Sequence, residues 1–387
     1  MKNKSRYLYN LFLVLAVTLA GCQDTTDVEL CYQGQHPHPS ETKFSFAFND
    51  GTTHADSAYI MAQRIIHAKK FGIKCCTANG SGHFFQDARE NATYYRGSSF
   101  PILQGEYKML AITRDSNVFY YDKLDSTANA SSTSWNLDKL ALAYKPYKDN
   151  STPIKTIIPD WKDFNNYAEY VLNNSGRVYA DTVELCHIHQ GKGNQVAFSL
   201  KPITQALTIS FSIKKQAANG VTFKIDSVVA DLSGIPSSVE LLSRRMNIRK
   251  TYKMLMLMNL GHSDSFDADT LSCRNTFNAL GVIHSASDHS FTGPGILQVV
   301  IFVTVRDHGK TVRRRVQGKM NLFHCLLNNG LLEYSLDGTY ARQTASQGNI
   351  NIVNPLRIDA NGIIGSTADD WGIDKWIPSG STQIIEL

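Results

Sequence analysis

A cysteine and two histidines stand close together in the segment ELCHIHQ, where they could hold a transition metal. Cys186, His187 and His189 carry the thiol and imidazole groups that bind zinc, and on a strand the two histidines would point to one face. A metal site needs at least a third ligand placed by the fold, and no spacing in the sequence identifies one. We therefore interpret this segment as a strand without a metal.

Three other clusters of reactive side chains are interpreted as loops or extended segments: His36 with His38, Asp264 with Asp267 and Asp269, and Ser81 with His83. Prolines alternate with the first histidine pair, which favours a polyproline-like conformation. The aspartates lack the central glycine and terminal glutamate of the best-known calcium loop. Glycines flank the serine, and nothing marks it as an activated nucleophile. We predict no catalytic residue, no metal and no cofactor, although carboxylate pairs of the glycosidase type depend on the fold alone.

Covalent chemistry of another kind is predicted at Cys22. Three basic residues precede an apolar run over residues 11–19, which is too short to span a bilayer of about 30 Å. The run leads through Leu19-Ala20-Gly21 directly into the cysteine, an arrangement that resembles the bacterial lipobox. We predict cleavage between Gly21 and Cys22 and lipidation of the Cys22 thiol, which gives stable membrane anchoring. The alternative is a plain signal peptide with an incidental cysteine.

The remaining chain is predicted to work outside the cytoplasm. Acidic residues follow the cysteine at Asp24, Asp27 and Glu29, and they indicate either export to the outer surface or a short solvated linker. Removing the three basic residues of the leader lowers the formal net charge from +5 to +2. The remaining charge does not indicate a basic surface that would bind nucleic acid. An exported location permits disulfides, but six cysteines allow fifteen pairings and their spacing selects none. These six are Cys31, Cys75, Cys76, Cys186, Cys273 and Cys325.

Strand patterns dominate the sequence. In KFSFAFN, residues 43–49, three phenylalanines alternate with small or polar residues, which predicts a half-buried strand. Segments 55–70 and 238–255 fit a helix or a strand equally well. Other segments read as strands are 105–115, 116–124, 176–185, 194–202, 206–214, 221–234, 295–307 and 310–318.

The pattern predicts an all-β protein made of two antiparallel sandwiches in tandem. We place the boundary in the glycine-containing turn HQGKGNQ, which gives a signal peptide at 1–21, a linker at 22–30 and domains at 31–195 and 196–387. Arg313, Arg314 and Arg315 are interpreted as part of a charged hairpin that discourages pairing at a sheet edge.

Several segments together resemble the fimbrillin-related lipoproteins of Bacteroidales, the type V pilus family that assembles by donor-strand exchange. They occur in order along nearly the whole mature chain and are most similar to the branch related to fimbrium anchoring subunits. The segments are VELCYQGQHPH, ADSAYIMAQRII, FPILQGEYKMLAITRDSNVFYYD, VVADLSGIPSSVEL, CRNTFNALGVI and DDWGIDKW with the terminal IIEL.

The resemblance implies two sandwiches of transthyretin-like topology and a lipid-anchored subunit on the surface of the outer membrane. In fimbrillin-type stalk subunits, a protease acting after an arginine removes the first strand, and a strand of the next subunit fills the groove. No arginine lies between Cys22 and Arg64, so KFSFAFN has no such cleavage point, which fits an anchor that keeps its first strand. Cleavage of this strand by a different protease, acting at Lys43, is the alternative.

The C-terminus is the predicted donor strand, formed by Gln383, Ile384, Ile385 and Leu387. Its aliphatic side chains would be costly to leave in water. The ordinary alternative is that this strand closes its own sheet.

The function implied is therefore that of a non-enzymatic adhesin or pilus component, with other fimbrillin-type subunits as partners and ligands on host or bacterial surfaces as further candidates. The alternative is a surface glycan-binding lipoprotein of a polysaccharide-uptake system, which would need exposed aromatic side chains. The candidates for that role are Trp135, Trp161, Trp371 and Trp376.

Overall fold

The computed structural model describes residues 39–49, 57–65, 70–77, 82–86, 93–95, 99–113, 118–122, 137–145, 169–171, 176–190, 193–216, 221–261, 265, 268–361, 376–378 and 383–385.

Strands make up nearly all of the described chain. The first twelve are β1 Pro39–Phe48, β2 Ser57–Arg64, β3 Lys70–Thr77, β4 Gly82–Gln86, β5 Thr93–Tyr95, β6 Ser99–Leu103, β7 Gly105–Ile112, β8 Phe119–Asp122, β9 Ala141–Tyr144, β10 Tyr170–Val171, β11 Tyr179–Ile188 and β12 Asn194–Pro202. The others are β13 Gln205–Lys215, β14 Val221–Pro236, β15 Ser238–Glu240, β16 Met246–Asn247, β17 Thr251–Leu257, β18 Asn259–Leu260, β19 Thr270–Ala279, β20 Ile296–Asp307, β21 Lys310–Asn321, β22 Leu332–Tyr334, β23 Tyr340–Gln343, β24 Gln347–Asn351, β25 Leu356–Ile358, β26 Trp376–Pro378 and β27 Gln383–Ile385. One helix, α1 at Phe323–Asn329, was not expected from the sequence pattern.

The first sheet curls until its two edges approach each other. Its nine strands follow the order β5-β4-β3-β2-β7-β11-β12-β1-β6. The edge strands β5 and β6 are joined by residues 96–98 alone, so Tyr95 and Ser99 lie at most about 14 Å apart. Phe44 on β1, Ile60 on β2 and Phe198 on β12 belong to one core, although β1 and β2 stand four positions apart in the strand order. The strands from β2 to β6 in this order therefore share the core of the first half.

The second half is a sandwich of two sheets. One follows β10-β17-β14-β20-β21-β26, with β27 also paired to β21, and the other follows β18-β19-β13-β24, with β25 also paired to β13. Alternate residues of the central strands, such as Ile209 on β13 and Ile301 on β20, are buried in a common core. The all-β sandwich class predicted from the sequence is confirmed. The pairing is not purely antiparallel, because the described strands include four parallel pairs: β1 with β12, β10 with β17, β13 with β24 and β13 with β25.

A fourth sheet joins the two halves of the chain. It follows β22-β23-β16-β15-β9-β8, and Leu142 on β9 lies opposite Val239 on β15. The strand β10 likewise pairs with β17. Three strands of the range 31–195 thus belong to sheets of the range 196–387. The predicted boundary at residue 195 needs correction for strands β8 to β10, because they precede it in the sequence and belong to sheets formed by strands that follow it. For the two main cores the boundary stays a prediction.

Two central strands of the first sheet bury both of their faces. On β7, Tyr107 and Met109 enter the first core, whereas Leu110 and Ile112 enter the core of the second half. On β2, Met61 points to the second core in the same way. Since alternate side chains of a strand point to opposite faces, these strands form a wall shared by both cores. The two halves are therefore continuous in their apolar packing.

Both ambiguous segments are strands where the structure describes them. Segment 55–70 contains β2, and segment 238–255 contains β15, β16 and most of β17. Between β15 and β16, Arg244 has a left-handed backbone with φ of 58°. Its Nη2 donates to the carbonyl of Ala180 on β11 at 2.9 Å, and burial lowers the pKa of Arg244 to about 10. A guanidinium from the second half thus fixes the backbone of the first sheet.

Candidate functional site

The first strand occupies a slot inside the first sheet. On one side β1 runs parallel to β12, from Thr42 opposite Asn194 to Phe48 opposite Leu200. On the other side it runs antiparallel to β6, from Pro39 opposite Leu103 to Lys43 opposite Ser99. The two ladders share Thr42 and Lys43, so β1 joins β12 to β6, and its removal would leave an unpaired edge on each of them. We name this position the β1 slot.

Alternate side chains of β1 fill the slot. Thr42 is fully buried, Phe44 is 2% exposed, and the intervening Lys43 and Ser45 are exposed, as the period-two pattern predicts. The ring of Phe44 lies 6.0 Å from that of Phe100 on β6 and stacks at 6.4 Å on that of Phe198 on β12. Phe44 therefore bridges the two strands that form the walls of the slot.

The far end of β1 is fixed by aromatic and polar contacts. The ring of Phe48 meets Tyr179 edge to face at 5.0 Å, and the amide of Asn49 donates to the carbonyl of Leu200 at 3.1 Å. The Ser199 hydroxyl also donates to the side-chain oxygen of Asn49. The first strand is thus held along its whole length.

The C-terminal strand lies at an edge of the second sandwich. The ladder of β26 runs from Trp376 opposite Met320 to Pro378 opposite Gly318. The ladder of β27 runs from Gln383 opposite Arg315 to Ile385 opposite Arg313. Four residues separate these ladders on the terminal strand but only two on β21, so the register shifts by two residues between them. Two three-residue ladders hold the described part of this strand to the sheet.

The arginine run does not form a bare charged edge, because β27 pairs with it. Arg315 is only 3% exposed, and Arg313 Nε lies 3.6 Å from Asp226 Oδ2. Arg314 Nη1 donates to the carbonyl of Ala360 at 2.6 Å and to Asn361 Oδ1 at 2.9 Å. The hairpin expected over this run is present as β20 and β21, but its outer strand is covered, which corrects the prediction of an exposed edge.

The histidine pair of ELCHIHQ lies at the surface on and just after β11. The rings of His187 and His189 stack with centroids 6.2 Å apart, and His187 Nδ1 lies 3.3 Å from Glu106 Oε1. Burial raises the pKa of the neighbouring Cys186 thiol. In the described ranges no three histidine, cysteine or acidic side chains are grouped as a metal would need.

Several predicted residues lie outside the described ranges or have only their backbone described. Gln383, Ile384 and Ile385 are placed by their pairing with β21, Cys186 is a free thiol, and Cys273 and Cys325 are buried. No helix in the described ranges is long and apolar enough to cross a membrane. Outside those ranges lie Gly21, Cys22, Cys31, His36, His38, Ser81, Trp135, Trp161, Asp264, Asp267, Trp371 and Leu387.

Three solved structures from Bacteroidales are similar to this chain at low sequence identity. No family model and no curated protein matches the chain. A candidate adhesin structure from Bacteroides ovatus matches 84% of this chain and 93% of its own, with 8% identity and a TM-score of 0.47. The fimbrial anchor protein Mfa2 of Porphyromonas gingivalis matches 87% of this chain and 99% of its own, with 10% identity and a TM-score of 0.37.

A candidate polysaccharide-binding protein of Bacteroides thetaiotaomicron also matches, over 89% of this chain and 98% of its own, with 10% identity and a TM-score of 0.36. The similar structures are a candidate adhesin, a fimbrial anchor and a candidate polysaccharide-binding protein, in agreement with the predicted resemblance. A likeness at this level concerns architecture, and the role of this chain has to follow from its own geometry.

Proposed function

We propose that this protein is a non-enzymatic, lipid-anchored subunit of a cell-surface fibre, and that it serves as the anchor of that fibre. The observation that carries the proposal is the position of β1, which fills an interior slot with the chain's own residues and bridges both walls through Phe44. A subunit whose slot is already filled has no groove to receive a strand from another subunit. It would therefore end a chain of subunits.

Strand donation rests on simple physics. Main-chain hydrogen bonds supply affinity along the whole strand, and alternate side chains that enter pockets supply specificity. The β1 slot shows this arrangement within one chain, since β12 and β6 provide the bonds and the cavity around Phe44 provides a pocket. A fibre subunit with the same slot left open would accept a strand from its neighbour in the same way.

The strand that this chain would donate is the C-terminal one. It lies at a sheet edge, and two three-residue ladders of different register hold its described residues. Arg314 fixes the chain at Ala360 and Asn361, so residues beyond this point can leave the sheet without moving the core. In the isolated chain these residues pair with β21, and donation to a neighbour would exchange that pairing for another.

Deletion of residues 382–387 tests the proposal. We expect a monomer with nearly unchanged melting temperature, because the deleted ladder is short and peripheral. We also expect other fibre subunits to be lost from the outer-membrane fraction of producing cells, as measured by quantitative mass spectrometry. The control is Lys310→Met, which changes an exposed residue on β21 and should leave both properties intact. A destabilised monomer that still retains its partner subunits would contradict strand donation.

Lipid anchoring has a separate test. Because Cys22 supplies the thiol that carries the lipid, Cys22→Ser should move the protein from the membrane to the soluble fraction and abolish labelling by a fatty acid. Cys31→Ser is the matched control, since it removes a nearby cysteine that is not preceded by Leu-Ala-Gly. Continued labelling of the Cys22 variant would exclude lipidation at this residue.

A further inference from the structure

A small polar cleft lies on the outer face of the seven-stranded sheet, away from the β1 slot and next to the C-terminal strand, whose Ile377 lies opposite Lys319 of the cleft. Its volume is about 190 Å³. Asp231 on β14, Lys253 on β17 and Lys319 on β21 line it, and Phe291 in the connection before β20 contributes an apolar wall. This volume is below the range of about 300 to 1,000 Å³ that is typical of sites for drug-sized ligands. The cleft has room for one small ring.

A buried carboxylate with unused hydrogen-bonding capacity lies in this cleft. Asp231 is 6% exposed, and its Oδ2 accepts a hydrogen bond from the Tyr170 hydroxyl at 2.6 Å. No second hydrogen bond to Asp231 occurs in the part of the chain that the structure describes, so Oδ1 is left as an acceptor. Burial raises the pKa of Asp231, and a further donor at Oδ1 would stabilise the carboxylate.

The two lysines of the cleft differ in their partners. Lys253 Nζ lies 3.3 Å from Glu169 Oε2 and 5.5 Å from the centre of the Tyr170 ring. Lys319 has no ion pair within 4 Å among the described residues, and its half-buried ammonium lines the cleft. The cleft therefore presents a buried carboxylate, at Asp231, and a lysine without an ion pair within 4 Å among the described residues, at Lys319.

This combination favours a ligand with a negative charge and neutral donors. A ligand ammonium at Asp231 would lie beside Lys253 and Lys319, and like charges at short range are unfavourable. A hydroxyl group can donate to Asp231 without that repulsion, and a carboxylate can pair with Lys319 through a charge-assisted hydrogen bond. The ring of Phe291 can pack against the apolar face of a sugar.

We propose that this cleft binds a sugar acid, with the ligand carboxylate at Lys319, a ligand hydroxyl donating to Asp231 Oδ1 and the ring against Phe291. None of residues 382–387 lines the cleft, so ligand binding and strand donation are tested by different variants.

Titration of the full mature chain with glucuronic acid, followed by ligand-observed NMR, tests this inference. We expect saturable binding of glucuronic acid, and at least tenfold weaker binding of glucose and of the methyl ester of glucuronic acid, because both lack the charge. Lys319→Met should weaken the binding of glucuronic acid at least tenfold, in line with the value of a hydrogen bond to a charged group. Lys310→Met removes an equal charge from the same strand outside the cleft and should have no effect.

Three results would overturn the proposal. One is the absence of saturable binding of glucuronic acid to the wild-type chain, and another is equal binding of glucuronic acid and its methyl ester. The third is equal or tighter binding of free glutamate, which would assign the cleft to amino acids. The ligand comparison uses the wild-type protein alone, so it remains decisive even where Lys319→Met disturbs folding.

Discussion

Replacement of Phe44 by alanine is expected to lower the free energy of unfolding by about 3 to 5 kcal/mol, the usual cost of truncating a buried phenylalanine. Its ring is 2% exposed and lies against Phe100 and Phe198, so the change removes the contact that joins both walls of the β1 slot. Denaturant unfolding followed by circular dichroism measures the loss as a lower midpoint at unchanged slope.

The matched control for this prediction is Ser40→Ala on the same strand. The Ser40 hydroxyl is buried without a hydrogen-bond partner in the structure, so its removal should leave stability unchanged or raise it slightly. Limited proteolysis adds a local measurement, because a loosened β1 should be cut near residue 44 faster in the Phe44 variant than in the control. Equal stabilities of the two variants would show that the slot does not depend on its aromatic bridge.

Separation of the chain at residue 195 is expected to abolish folding of both parts. Fragment 23–195 would expose the faces of β7 and β2 that carry Leu110, Ile112 and Met61, which are buried in the second core. Each such side chain is worth about 1.5 to 3 kcal/mol when buried. Fragment 196–387 would lose β9 from its place beside β15 and β10 from its place beside β17. Together these three side chains are worth about 4.5 to 9 kcal/mol, which is comparable with the usual stability of a whole domain, about 5 to 15 kcal/mol.

Co-expression of the two fragments provides the control, since the intact pairing surfaces can then meet. We expect a soluble complex with the circular dichroism of the whole chain, whereas each fragment alone should lack a cooperative thermal transition. A cooperative transition in fragment 196–387 alone would show that the second half folds without β8, β9 and β10. Arg244→Gln, which removes the guanidinium that donates to Ala180, should weaken the complex in the same assay.

Local alternation was sufficient to predict the strands. In KFSFAFN the period of two places Phe44 inside and Lys43 and Ser45 outside, and a strand has this period whatever its neighbours are. The runs that became β12, β13, β14, β20 and β21 were predictable for the same reason. The segments 55–70 and 238–255 were ambiguous because short apolar runs fit both periods, and pairing in the sheets resolves them as strands.

Partner choice could not be predicted in this way. Nothing in the sequence near Leu142 indicates that β9 pairs with β15, since the two strands are about a hundred residues apart. The side chains of a strand do not specify which other strand will bond to its edge. The same holds for Tyr170 and Asp231, whose hydrogen bond joins residues 61 positions apart. Either residue alone is an ordinary polar side chain.

The alternation of residues along β1 made it recognisable as a strand, but its place between β12 and β6 follows from contacts with residues far along the chain. Likewise, the apolar residues Ile384 and Ile385 predict a strand. Only their pairing with Arg314 and Arg313 shows where this strand lies in the isolated chain. Side-chain periodicity is a local property of the backbone, whereas sheet order depends on which buried surfaces match when the whole chain collapses. For this protein the sequence therefore establishes the strand elements, and the folded chain establishes the filled slot, the shared wall between the cores and the cleft at Asp231.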